Sequence, residues 1–216
     1  MTRGFIIAGT DTGIGKTVVA AALVGALDAD YWKPIQAGLD GESDRDAVVR
    51  LALLKGARAH PEAYRLTTPA SPHRAAAIDG IAIDVARLQP PATANILVIE
   101  GAGGLLVPLT GTVLQIDVFA QWGMPIVLVA STRLGTINHS LLSLEALHAR
   151  GIAVLGLVFT GDDEPESVRA ITGFSNVPSL GRLPWITPLD ARALADTART
   201  HLDLNQLFAR AEWSRA

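Results

Sequence analysis

Short unbroken apolar runs, separated by stretches in which apolar residues recur at helical spacing, set the rhythm of this chain. The runs at 5–8 (FIIA), 95–100 (NILVIE), 125–130 (PIVLVA) and 152–160 (IAVLGLVFT) carry apolar side chains on both faces, the pattern of strands covered on both sides. A shorter run at 30–33 (DYWK) predicts another strand. Helices are predicted over 18–27, 44–55 and 136–150, with two late ones over 188–196 and 204–212. Asp44 is a candidate cap for the second of them. Alternation of strand and helix predicts an α/β fold, a mainly parallel sheet with helices on both faces. The stretch 57–91 is richer in proline and polar residues and carries a weaker signal. With no linker, repeat or low-complexity segment in view, a single domain over 1–216 is expected.

Composition narrows the chemistry. Hydrophobic residues make up 49% of the 216 and charged residues 18%, which excludes a disordered chain. The net charge of −3 argues against a nucleic-acid partner, which usually meets a basic stripe. There is no cysteine, so disulfides, zinc–thiolate sites and thiol nucleophiles are excluded. No apolar stretch of about eighteen residues is present, so no membrane is expected and the reading is a soluble, cytoplasmic protein.

The first strand runs into GTDTGIGKT, residues 9–17, and a helix follows. The usual phosphate loop is spelled G-x-x-x-x-G-K-[ST]; here the first glycine, Gly9, stands one place too early, with Thr10 where it is expected. Strand, Gly15-Lys16-Thr17 and helix nevertheless occur in the required order. Glycine-rich backbone lets consecutive N–H groups and a helix N-terminus face a phosphate. Lys16 would reach the β/γ-phosphates, and the Thr17 hydroxyl would ligate Mg²⁺.

Magnesium calls for hard oxygen ligands. Glu100, at the end of a buried strand before the turn Gly101-Ala102-Gly103-Gly104, is one candidate. Asp46, in ESDRD after the second strand, is the other, although it also suits a helix N-terminus. Lys33 in WKPIQAG ends an apolar strand and is followed by Pro34. That backbone aims its ammonium over the C-terminal edge of the sheet, where open α/β folds bind ligands.

GTDTGIGKT, WKPIQAG, VIEGAGG and LGTINH, in this order, resemble the dethiobiotin synthetases over most of the chain, from Phe5 to about Trp185. The resemblance implies a P-loop fold, a homodimer, ATP and Mg²⁺, and closure of the ureido ring of dethiobiotin from 7,8-diaminononanoate and CO₂ (as bicarbonate in solution). It implies that Gly13, Ile14, Gly15, Lys16, Thr17 and Val18 wrap the phosphates, and that Thr17, Asp46 and Glu100 hold the metal. Lys33 is implied as the catalytic lysine beside Lys16, and Glu100, Gly101, Ala102 and Gly103 as a further nucleotide contact. Thr12, Lys33 and Ala37 would meet the substrate, and Gly135, Thr136, Ile137 and Asn138 its carboxylate, close to a dimer interface. Thr160, Gly161, Pro184, Trp185 and Ile186 would surround the adenine. Two positions depart from the family pattern: Ala37 stands where a threonine or serine is common, and Thr160 where an asparagine commonly reads adenine. The four tryptophans show no stacking pattern for nucleic acid, and His73 receives no role. Two rival families share parts of the loop. Cobyrinate-type amide synthetases bring a nucleophilic cysteine, absent here, and partition ATPases bring a second, early loop lysine, where this chain has Thr10 and Asp11.

Overall fold

The computed structural model describes residues 3–212, so the outermost ends of the expected single domain, 1–2 and 213–216, lie outside the described residues. Along the chain come β1 (Gly4–Gly9), α1 (Lys16–Leu27), β2 (Asp30–Trp32), β3 (Ile35–Ala37), α2 (Asp44–Leu51), β4 (Ala59–His60), β5 (Tyr64–Leu66) and α3 (Pro72–Ile78). Then follow β6 (Leu97–Glu100), α4 (Gln115–Trp122), β7 (Ile126–Ser131), α5 (Thr136–His148), β8 (Val154–Thr160), α6 (Pro165–Ser175), β9 (Ser179–Leu183), α7 (Ala191–His201) and α8 (Leu204–Arg210). Seven strands form one sheet in the order β4-β2-β6-β1-β7-β8-β9, and β3 pairs with β5 in a small second sheet. Every named strand pair is parallel.

Period-two alternation along β1 shows how the layers form. Phe5 and Ile7 join the core beneath α1, α2, α7 and α8, whereas Ile6 and Ala8 join the opposite core with α4, α5 and α6. All six residues of β1 are buried, as a central strand covered on both faces must be. The expected α/β architecture therefore stands. A third, smaller core under β3, β5 and α3, including Ile35, Leu66 and Ala75, fills the region of weak sequence signal.

Because the strands run parallel, Gly9, Trp32, Glu100, Ser131 and Thr160 all end on the same edge of the sheet, where α/β folds bind their ligands. Among the described residues, no helix is long and apolar enough to cross a membrane.

Candidate functional site

The loop between β1 and α1 explains its own spelling. Gly13 and Gly15 have φ of 69° and 89°, in the left-handed region where a Cβ is strained, and Gly15 caps α1. Gly9 matters for a different reason. A Cβ there would lie 2.8 Å from Lys16 Cδ and 2.9 Å from Nζ. Glycine at position 9 lets the lysine fold back across the end of β1, where its ammonium donates to the Asp11 carbonyl at 2.6 Å. Burial lowers the Lys16 pKa to about 8, with Glu100 opposing the shift. The early glycine thus belongs to the loop.

Beyond the loop, β6 and β2 deliver a compact charged cluster. Glu100 is fully buried and has three donors. Its Oε1 accepts from Thr17 Oγ1 at 2.8 Å and Lys33 Nζ at 2.9 Å, and its Oε2 accepts from the Tyr31 hydroxyl at 2.8 Å. Lys33 also forms an ion pair with Asp44. Thr17 Oγ1 lies 2.9 Å from Asp44 Oδ1; its one proton serves one carboxylate at a time. Burial opposes the Lys33 charge, but Glu100 and Asp44 outweigh it and raise its pKa. Burial likewise opposes the charge of Asp44, yet Lys33 holds its carboxyl below the usual range. Burial and then Glu100 push the Tyr31 phenol well above its ordinary value, so it remains a donor.

One candidate ligand is displaced. Asp46 does not join this cluster: its carboxylate accepts from the Ser43 hydroxyl at 2.7 Å, and Ser43 in turn caps α2 by accepting from the Asp46 N–H. Asp44, at the first position of α2, points to Thr17 and Lys33 instead. The signal was present in the sequence, because S-x-x-[DE] before a helix is the spelling of a capping box and assigns the third residue after the serine to the helix end. Asp44 is accordingly a helical residue and Ser43 the cap.

Two cavities meet at the loop and share Thr12, Gly13 and Gly15. The first, about 490 Å³, is lined by Lys16, Lys33, Ala37, Asp44, Glu100 and Gly103, with Ala102 and Pro69–Pro72 completing its wall. The second, about 350 Å³, takes Ile14, Val18, Thr160, Gly161 and Pro184-Trp185-Ile186. Trp185 is 66% exposed within this lining.

Three placements refine the sequence reading. The Thr160 hydroxyl donates to the Ile14 carbonyl at 2.6 Å, so it ties the phosphate loop to β8 and is not aimed freely into the cavity. Gly101 is absent from both linings; a Cβ there would lie 2.8 Å from the Phe119 ring, which packs the turn from below. That turn is further braced by Gln115, unremarked in the sequence, whose amide accepts from Ala102 N–H at 2.7 Å and donates to Gly104 O at 3.1 Å. Finally, Gly135, Ile137 and Asn138 are exposed at the start of α5, and within one chain residues 135–138 line no wall of the Lys33 cavity; Thr136 lines the Trp185 cavity instead.

A glycine loop with lysine and threonine at a helix start, set on a parallel sheet beside the buried Glu100 and the half-buried Asp44, defines a nucleotide-dependent enzyme of the phosphate-loop class. Residues 3–193 match the AAA domain family. The chain is 60% identical over 194 residues to an ATP-dependent dethiobiotin synthetase BioD of Rhodopseudomonas palustris (strain HaA2), covering 90% of this chain and 91% of that protein. It is 56% identical over 204 residues to the ATP-dependent dethiobiotin synthetase BioD of Agrobacterium fabrum, covering 94% and 96%. The chain belongs to the dethiobiotin synthetase family. Its fold alone is also shared with a ParA family ATPase from Chlorobium tepidum, with a TM-score of 0.58 at 13% identity over 97% of both chains.

Proposed function

We propose that this protein uses ATP to close the ureido ring of dethiobiotin from 7,8-diaminononanoate and CO₂, releasing ADP and phosphate. One amine adds to CO₂ and loses a proton, giving a carbamate. A carbamate oxygen attacks the γ-phosphorus and the bond to ADP breaks. The second amine then attacks the carbonyl carbon and loses a proton, and phosphate leaves as the ring closes. No covalent enzyme intermediate is needed, so the protein's work is positioning and charge neutralisation.

The observation that carries this reading is the seating of buried Lys33 at the edge of one cavity while the phosphate loop separates it from another. Nucleotide base and ribose go to the Trp185 side, the diamine to the Lys33 and Ala37 side, and the γ-phosphate lies between. Lys33 faces the carbamate and the phosphoryl group in transfer, and Lys16 leaves the Asp11 carbonyl for the β/γ-phosphates. The Mg²⁺ ligands are Thr17, Asp44 and Glu100. Their donor set fits, since all are hard oxygens and the Lys33 ammonium already stands between the two carboxylates as a cation would. Bound there, magnesium neutralises phosphate charge. The substrate carboxylate is held by residues 135–138 of a second copy, a placement that supports a homodimer: those residues begin a helix with Gly135, Ile137 and Asn138 exposed, and none of the four lines the Lys33 cavity of its own chain.

The test is ATP turnover by the purified protein with the diamine and bicarbonate supplied together and separately, with mass detection of product. Dethiobiotin formed one-for-one with ADP is expected. ATP turnover indifferent to both co-substrates, with no dethiobiotin, would refute the reading.

A further inference from the structure

The two oxygens of Glu100 have different surroundings. Oε1 faces the phosphate loop and meets Thr17 and Lys33, whereas Oε2 is taken by the Tyr31 hydroxyl at 2.8 Å. Tyr31 lies on β2, one strand away in the sheet, and is fully buried. It touches neither cavity. Apolar packing alone would be satisfied by phenylalanine at this position, since the ring sits in the core with Val19, Leu23 and Val48. Among the described residues the hydroxyl has one hydrogen-bond partner, the carboxylate of the site.

We infer that Tyr31 is a positioning residue that makes Glu100 a one-oxygen ligand and thereby favours Mg²⁺ over larger cations. A carboxylate whose far oxygen is held by a buried donor cannot rotate to present both oxygens. Ca²⁺ accepts six to eight oxygens and readily takes both of a carboxylate, whereas Mg²⁺ demands an octahedron of single oxygens, several from water. Pinning Oε2 therefore costs Ca²⁺ a ligand and costs Mg²⁺ nothing. Partners in this outer position commonly shift metal affinity by about 10–100-fold when removed.

The inference rests on the magnesium site proposed above, and the experiment separates the two. ADP affinity is measured calorimetrically for the full chain in EDTA, in Mg²⁺ and in Ca²⁺, using the wild type, Tyr31→Phe, Glu100→Gln and the double variant, with melting curves to show that each is folded. In the wild type, Mg²⁺ should tighten ADP binding well beyond Ca²⁺. Tyr31→Phe should lose about tenfold of the Mg²⁺ tightening while keeping or gaining that of Ca²⁺. In the Glu100→Gln background, adding Tyr31→Phe should change neither. A Tyr31→Phe protein with wild-type metal dependence beside a deficient Glu100→Gln would overturn the role of Tyr31 alone, as would an equal Tyr31→Phe effect in both backgrounds. Undiminished Mg²⁺ tightening in Glu100→Gln would overturn the magnesium site itself, and the inference with it.

Discussion

The two cavities on either side of the phosphate loop are built on opposite principles. On the Lys33 side, charged side chains converge: the buried Lys33 and Glu100 share bonds with the half-buried Asp44 and Thr17. On the Trp185 side the charged members of the lining, Asp11, Arg133 and Asp162, form no ion pair among the described residues, and much of the hydrogen bonding is internal. Gly161 N–H donates to Leu183 O, Thr160 O accepts from Thr132 N–H, and Arg182 donates to Gly161 O. Charge in a dry site acts strongly and through single atoms, whereas a surface of shape spreads its contribution over many contacts. Single substitutions should therefore be severe on the first side and mild on the second.

Lys16, in the wall of the charged cavity beside the shared loop, should give the largest effect. Lys16→Ala removes the charge proposed to meet the β/γ-phosphates, and turnover should fall by about 10²–10³-fold. Steady-state rates check it; full activity would sink the phosphate-loop assignment and the contrast with it. Lys33→Met should also cut synthesis strongly. It should spare ADP affinity measured by calorimetry, because its partners in the structure are the carboxylates of Glu100 and Asp44 and its proposed role is toward the carbamate, not the nucleotide. Equal loss of nucleotide binding in both lysine variants would erase the division of labour.

Next comes the pair of aspartates. Asp44→Asn should raise the magnesium requirement of turnover by about tenfold or more, since a hard charged oxygen is replaced by a neutral one. Asp46→Asn should leave that requirement in place and lower thermal stability modestly, through its bond to the cap of α2. Titrating MgCl₂ for each variant decides it, and the reverse ranking would restore Asp46 as the ligand.

This pair also marks how far the sequence can be read. The strands β1, β6, β7 and β8 were legible because burial on both faces leaves an unbroken apolar run, and the loop, Lys33 and Glu100 were legible because each sits where such a run ends. Asp44 and Asp46 are two residues apart on one helix, and within the sequence only the capping spelling that starts at Ser43 separates them, by fixing the helix's rotation. Edge strand β9 (SLGRL) and short β5 (YRL) carry polar residues within them and left no run to see. The late helix begins at Ala191, three residues beyond the expected start, because Asp190 caps it by accepting from Ala193 N–H. Tyr31 and Gln115 were invisible for a simpler reason: their partners lie 69 and 13 residues away.

The smallest effect is expected at Thr160. Thr160→Val removes the hydroxyl bond to Ile14 O, and KM for ATP should rise by about two- to tenfold, the worth of one hydrogen bond. KM for GTP should rise in parallel, with kcat little changed in both. A selective loss for ATP would mean that the hydroxyl reads the base, and the shape-built cavity would then depend on a single polar atom.

The central claim is that the charged cluster serves phosphoryl transfer to a carbamate formed from CO₂. It is tested most directly by supplying ¹⁸O-labelled bicarbonate under conditions faster than its exchange with water and measuring the mass of released phosphate. One labelled oxygen in phosphate is expected for each dethiobiotin formed, because the attacking carbamate oxygen leaves with the phosphorus when the ring closes. Dethiobiotin formed alongside wholly unlabelled phosphate would contradict it.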